Sequence, residues 1–306
     1  MESGNLNTFR LIKTSEFHPH YDLRLYIRKY VFRINTRKIL HNILIAPLQN
    51  GYYEIYLHYN NSEVVAHFLF GDEKCSNTVV GFFSPGLHPV IRPIVYEDTA
   101  KWASITLTFA GLKRLLAIQG RELFNKVIHL HDVFGYPAKQ LQQHLYYAPD
   151  DYKRKRILDR FFLKRLTNCT LQKESKLILL DNYLSRVKGK VTVKSMASRV
   201  CMSYRSLERL FNDDVGINFR DYLKMHRLNK AMKLMSDKNK VEYSSIIYLY
   251  GYYDQSHFIK EFSNLTGYTP KHFLELSKGS FYLDRAYIIR DKRFYAIPET
   301  DSVNLA

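Results

Sequence analysis

The sequence contains little cysteine. Its 306 residues include three cysteines, Cys75, Cys169 and Cys201, which are odd in number and widely spaced. This excludes a disulfide framework and a CxxC zinc knuckle, and it is typical of a protein from a reducing compartment. We expect the three thiols to be buried.

Long apolar runs are also missing. No stretch approaches the roughly 18 apolar residues that a membrane span needs. The first thirteen residues have no apolar core of the kind that a secretory signal carries. The sequence therefore predicts a cytoplasmic protein without a membrane partner.

Acidic residues are scarce relative to basic ones. The chain carries 46 Lys and Arg against 29 Asp and Glu, a formal net charge of +17. Such a charge attracts polyanions, including nucleic acid. Because the excess is spread over both halves of the chain, charge alone does not locate a binding site.

The first part of the chain has the pattern of a β-rich domain. Short alternating, β-branched and aromatic runs at 52–59, 64–70, 79–83 and 103–109 are separated by turn residues. After about residue 112 the apolar period becomes helical, with helices expected near 137–147 and 150–166. The sequence predicts an α+β fold: a β-rich domain followed by helices, and then an all-α C-terminal domain.

The pattern at residues 193–211 predicts a helix-turn-helix unit. Ser203 is placed to cap the second helix, and Leu207, Leu210 and Phe211 form its apolar stripe. A similar unit lies at 243–262, with Gly251 in the turn and Asp254 as the cap.

The two units are related by a fixed offset. Leu207 and Phe258 are 51 residues apart, and so are Phe211 and Phe262. An amphipathic helix is expected between the units, near 218–236. One helix-turn-helix pattern is weak support for function, but two on one connecting helix form a specific arrangement.

This arrangement fits duplex DNA. A helix with a polar outer face fits a major groove about 12 Å wide, and two such helices on one connector can enter grooves about 34 Å apart. The side chains expected on the two outer faces are the predicted DNA-binding residues: Arg205, Ser206, Glu208 and Arg209 in the first unit, and Gln255, Ser256, His257 and Lys260 in the second. Glu261 and Asn264 are expected on the second outer face as well.

Residues 175–277 resemble the AraC/XylS family of bacterial transcription regulators. The second unit carries the resemblance through the run 251–258, Phe262, Gly267 and the pair 269–270. The first unit adds Ala197, Ser203, Leu207, Phe211, Gly216, Phe219, Tyr222, Leu223, Arg227 and Leu228. Ile247, Ser245 and Tyr252 depart from the family's usual Ala, acid and Phe.

The resemblance extends in part to the first domain. The run 84–92, the strand 104–109 and the stretch 123–134 are similar to the cupin-like sensory half of some of these regulators. It implies a sensory or dimerisation domain at 1–168, a DNA-binding domain at 175–277 and a tail at 278–306. The partners it implies are double-stranded DNA, a small-molecule effector, RNA polymerase and a second copy of the chain. Activation and repression both stay open.

Two other functions are consistent with parts of the sequence. One is a small-molecule-binding or metal-dependent β-domain enzyme with a helical appendage, and the other is a nonspecific nucleic-acid binder. The enzyme is disfavoured because GxSxG, HExxH, phosphate-loop and GxGxxG motifs are missing. No acid follows the His18 and His20 pair at a metal-site spacing. We therefore expect no enzyme, no metal and no cofactor.

Overall fold

The computed structural model of the chain describes fourteen stretches of residues. They are 12–35, 44–47, 52–59, 65–68, 74–75, 77–80, 91–94, 100–166, 174–187, 190–237, 242–266, 269–272, 282–283 and 286–289.

Twelve strands in the described residues form two antiparallel sheets of six. The first sheet has the order β1-β2-β9-β4-β7-β10 and the second β11-β12-β3-β8-β5-β6. The strands are β1 (Ile12–Phe17), β2 (Ile27–Asn35), β3 (Leu44–Pro47), β4 (Tyr53–His58), β5 (Val65–Phe68), β6 (Lys74–Cys75), β7 (Thr78–Val80), β8 (Ile91–Ile94), β9 (Ala100–Leu107), β10 (Val127–His129), β11 (Tyr282–Leu283) and β12 (Ala286–Ile289).

Side-chain alternation positions the central strands of the first sheet. Tyr53, Ile55 and Leu57 of β4 are buried, while Glu54 and Tyr56 between them are half-buried. This is the period of two expected of a strand with one face on a core. β9 lies between β2 and β4, and Ile105 pairs with both Tyr30 and Ile55.

Ten α-helices in the described residues follow or interrupt the strands, besides short 3-10 helices at Tyr21–Leu23 and Gly120–Glu122 and a π-helix at Phe211–Val215. The α-helices are α1 (Phe109–Leu116), α2 (Leu130–Phe134), α3 (Tyr136–Tyr147), α4 (Asp151–Arg165), α5 (Glu174–Arg186), α6 (Val193–Arg199), α7 (Tyr204–Leu210), α8 (Phe219–Asp237), α9 (Tyr243–Tyr250) and α10 (Gln255–Thr266). The α+β class and the predicted order of parts, β-rich first and helical afterwards, are confirmed.

The buried apolar side chains of the described residues form two clusters. The larger joins the first sheet to α1 through α7 and the beginning of α8. The smaller joins the later part of α8, from Leu228 to Met235, to α9 and α10. The first helix-turn-helix unit therefore shares a core with the β-rich part, and the second has its own.

Polar contacts and close backbone packing join the first unit to the β-rich part, in addition to the shared apolar core. The Tyr53 hydroxyl donates to the Val215 carbonyl at 2.6 Å, and Lys113 pairs with Asp214 at 2.8 Å. Gly216, at φ +70°, packs its backbone against Gly120, so that a Cβ at residue 216 would lie 2.0 Å from the Gly120 carbonyl oxygen. No side chain fits between these two backbones.

The C-terminal tail contributes to the second sheet. β11 pairs with β12, and β12 pairs antiparallel with β3 of the β-rich part, with Tyr287 opposite Ala46. The tail from 278 therefore contains a strand pair.

Two side-chain expectations need correction. Cys201 is exposed because it occupies the turn between α6 and α7 at φ +49°, so the prediction of a buried thiol is wrong there. The basic run 153–156 has the composition of a solvated helix face, but Arg154 is buried because it donates to the Leu145 and Ala148 carbonyls. The burial of Cys75 and Cys169 lies outside what the structure describes.

Candidate nucleic-acid interface

Local hydrogen bonds define the first helix-turn-helix unit. The Thr192 hydroxyl accepts from the Ser195 amide at 3.1 Å and starts α6, and the Ser203 hydroxyl accepts from the Ser206 amide at 3.2 Å and starts α7. Each cap satisfies a backbone donor that the first helical turn leaves open. Ser203 is therefore the cap that the sequence predicts.

The two faces of α7 differ as expected. Leu207 and Leu210 are buried, while Arg205, Glu208 and Arg209 are exposed. Ser206 is half-buried, and its hydroxyl accepts from the Ser203 hydroxyl at 3.0 Å. Three of the four predicted residues are thus open to a ligand, and Ser206 mainly supports the cap.

A glycine and an aspartate define the second unit. Gly251 ends α9 at φ +71°, and its amide donates to the Ile247 carbonyl at 3.0 Å. The Asp254 carboxylate accepts from the His257 amide at 2.7 Å at the start of α10. Both roles are those predicted from the sequence, because glycine adopts a positive φ at little cost and aspartate is a favoured cap.

All four residues predicted to bind DNA in the second unit are exposed: Gln255, Ser256, His257 and Lys260. His257 is also held in place, since its Nδ1 accepts from the Tyr253 amide at 3.2 Å. Its Nε2 lies 3.9 Å from a Glu261 carboxylate oxygen. The outer part of the imidazole therefore has a defined orientation.

The connecting helix α8 sets the distance between the units. Its 19 residues span about 28 Å at about 1.5 Å per residue. This length is comparable with the spacing of about 34 Å between successive major grooves.

An ion pair joins α8 to α10. The Arg227 guanidinium donates two hydrogen bonds to the Glu261 carboxylate and lies over the Tyr252 ring at 4.7 Å. Burial acts to lower the pKa of Arg227, but the hydrogen bond and charge of Glu261 outweigh it and raise the pKa. Arg227 therefore makes an internal ion pair.

Glu261 itself is a correction. The sequence places it on the outer face of α10, whereas the structure buries it against Arg227. Glu261 lies three residues after Phe258 and four before Leu265, so its spacing already indicated the inner face. The prediction of the outer face followed from the charge of the glutamate and not from its spacing.

Sequence reasoning also missed exposed tyrosines beside the two units. Tyr253, just before α10, is 89% exposed, and Tyr248 on α9 is 87% exposed. Tyr204, in the first turn of α7, is also exposed. A tyrosine hydroxyl can donate to a phosphate oxygen, so these rings extend the polar surface around both outer faces.

Other kinds of site find no support in the described stretches. Within them no three His, Cys, Asp or Glu side chains come together as metal ligands would. A search of the same stretches finds no helix with the length and apolarity for crossing a bilayer.

Comparison with known proteins supports the helix-turn-helix interpretation of the C-terminal part of the chain. A family profile described as a helix-turn-helix domain matches residues 196–275. A protein described as the probable transcriptional regulator LumQ of Photobacterium leiognathi is 28% identical over 98 residues, which are 32% of this chain. The match spans only 39% of that relative's length.

Solved structures of ToxT from Vibrio cholerae align with most of the chain, but the similarity is low. The strain O395 structure has 12% identity over 87% of this chain and 98% of its own, with a TM-score of 0.41. A fatty-acid-bound structure from strain SCE256 has 12% identity, coverage of 86% and 94%, and the same TM-score. The C-terminal part of the chain contains a helix-turn-helix domain, which is supported by the profile match and by the two capped units described above.

Proposed function

We propose that the chain is a sequence-specific regulator of transcription that binds double-stranded DNA through both helix-turn-helix units. The observation that carries this proposal is the pair of capped helices, α7 and α10, held on one connecting helix with polar outer faces exposed. We refer to α7 and α10 as the reading helices.

The exposed side chains have distinct roles in this proposal. Arg205 and Arg209 contact guanine edges in one major groove, because a guanidinium matches the O6 and N7 acceptors of guanine. Gln255 can pair with adenine in the next groove, accompanied by His257 and Lys260. The remaining predicted residues take minor roles: Ser206, Glu208 and Ser256.

Selection of bound DNA tests the proposal. The full chain is incubated with a random duplex library, and retained sequences are read after several rounds. We expect two half-sites whose centres are about 10 base pairs apart, one helical turn. If random duplex competes equally with every selected sequence at matched salt, the chain is a nonspecific binder and the proposal fails.

The β-rich part has a regulatory role in this proposal. Its contacts with the first unit, Tyr53 with Val215 and Lys113 with Asp214, give a physical route by which a change in one alters the other. A separate cavity of about 310 Å³ lies between β2 and α5, with Arg28 and Asp181 in its wall. We propose that a small molecule acts on the first unit through the contacts of Tyr53 and Lys113.

The remaining assignments follow from DNA binding. RNA polymerase and a second copy of the chain are the proposed protein partners, and the cytoplasm is the proposed place of action. The proposal assigns no catalytic reaction to the chain.

A further inference from the structure

A deep groove runs between α3 and α4, with the end of α1 at its base. Its volume is about 920 Å³. We call it the basic groove, because six of its seventeen lining residues are lysine or arginine. These are Arg114 of α1 and Lys153, Arg156, Arg160, Lys164 and Arg165 of α4.

Cations follow one face of α4 along the whole groove. Lys153, Arg156, Arg160 and Lys164 are spaced by three, four and four residues, which places them in one row. The row is about 16 Å long at about 1.5 Å per residue. The positive charge is therefore distributed along the groove and not concentrated at one point.

On the opposite side of α4, basic side chains form ion pairs with aspartates. Arg154 pairs with Asp151 at 2.7 Å, and Lys155 pairs with Asp159 at 2.6 Å. On the groove side, Lys153, Arg156 and Arg160 form no ion pair within the described stretches. No aspartate or glutamate is among the groove's lining residues, all of which are described.

The floor of the basic groove is apolar. Leu115, Leu141, Ile157 and Phe161 line it between the two helices. Among its lining residues, Arg165 donates to the Leu115 carbonyl at 2.8 Å, and Arg114 donates to the Leu166 carbonyl at 2.7 Å. These bonds to backbone carbonyls hold two cations in fixed positions.

We propose that the basic groove binds an acidic amphipathic peptide segment of a partner protein. Apolar side chains of the segment contact the floor, and its carboxylates meet the row of cations on α4. A ligand with a single anionic group leaves most of that row without a counter-charge. A second copy docking through the same face would bring its own cations against these, and like charges repel.

Fluorescence anisotropy with a synthetic probe tests this proposal without any DNA. The probe is a labelled helix-forming peptide of about 18 residues with leucine on one face and glutamate on the other. We expect the full chain to bind it, and Arg156→Glu combined with Arg160→Glu to weaken binding by about tenfold or more. Both arginines are exposed, so the fold should tolerate the change.

The matched control is Lys126→Glu combined with Lys139→Glu. This variant makes the same change of charge at exposed residues outside the groove, and we expect less than about a twofold effect. A second peptide, with serine in place of leucine, should bind more weakly because it cannot use the apolar floor.

Three results would overturn the proposal. The first is equal weakening by the groove and control variants, and the second is equal binding of the leucine and serine peptides. The third is that the groove variant binds the peptide as well as the wild type does, but binds a random DNA duplex or oleate more weakly. None of these results bears on whether α7 and α10 bind DNA, so the proposed function is tested separately.

Discussion

Arg227 on α8 and Glu261 on α10 form a bidentate ion pair that fixes the second reading helix on the connecting helix. Glu261 is 8% exposed. Because its carboxylate is buried, its charge needs the guanidinium as a partner. The pair holds the angle at which α10 presents Gln255 and Lys260, without either of its members facing DNA.

Glu261→Ala should destabilise the second unit. It leaves the Arg227 guanidinium half-buried without its carboxylate, and we expect a loss of about 2–3 kcal/mol in the free energy of unfolding. Urea unfolding measures this loss. Lys260→Ala, at the exposed neighbouring residue, is the control and should change stability by less than about 0.5 kcal/mol. Similar losses for the two variants would contradict the role assigned to the pair.

Arg209→Ala and Lys260→Ala should each weaken binding to a selected DNA sequence. We expect a loss of about 1–3 kcal/mol in binding free energy for each, because each removes a contact made by a reading helix. Titration and footprinting on the selected duplex measure the loss, with Lys139→Ala as an exposed control in the first part of the chain. Wild-type footprints for both variants would show that the outer faces are wrongly assigned.

Gly216→Ala should destabilise the folded chain more than Gly251→Ala does. Both glycines have a φ near +70°, so both alanines bear a similar backbone strain of about 1 kcal/mol. At residue 216 the new Cβ also meets the Gly120 backbone, whereas at residue 251 it meets the flexible Lys190 side chain. We expect an additional loss of about 2 kcal/mol or more for Gly216→Ala in thermal unfolding.

Equal costs at the two glycines would contradict the close packing of residues 120 and 216. Gly216→Ala should also change DNA affinity in the first half-site, because residue 216 lies where the first unit meets the β-rich part.

Stability should fall between pH 7 and pH 5. Burial lowers the pKa of His226 to about 4, and the charge of Lys230 adds to this effect. The unfolded chain takes up a proton below about pH 6.5, while the folded chain keeps this imidazole neutral until about pH 4. Burial lowers the pKa of His58 to about 4 as well. Each histidine therefore contributes a loss of about 2 kcal/mol by pH 5.

His226→Phe tests this pH dependence. The variant should lose less stability than the wild type between pH 7 and pH 5 in urea unfolding, by about 2 kcal/mol. His131→Phe, at an exposed site, serves as the control and should leave the difference between the two pH values unchanged. An unchanged difference in the His226 variant would show that this group does not carry the effect.

Local features of the helical domain could be predicted from the sequence because they depend on neighbouring residues. Ser203 and Asp254 cap helices through amides only three residues away, and Gly251 ends a helix by its own φ. The exposed faces of α7 and α10 followed from helical spacing, except that Glu261 is buried. Cys201 was misjudged because its exposure depends on turn geometry, which its residue type does not indicate.

Long-range contacts could not be predicted in the same way. Tyr53 and Val215 are 162 residues apart, and nothing in either local pattern indicates that they meet. The basic groove likewise depends on how α3 and α4 pack, and the run 153–156 alone does not show which of its cations pair with acids. The sequence therefore predicts the reading helices better than their attachment to the rest of the chain.

The unequal attachment of the two units has a consequence for regulatory DNA. The first reading helix shares a core with the β-rich part, so anything bound to that part is held at a fixed distance from the half-site under α7. The second has a small core of its own on α8. Promoters under common control should therefore preserve the position of one half-site relative to the start of transcription, and tolerate small insertions before the other.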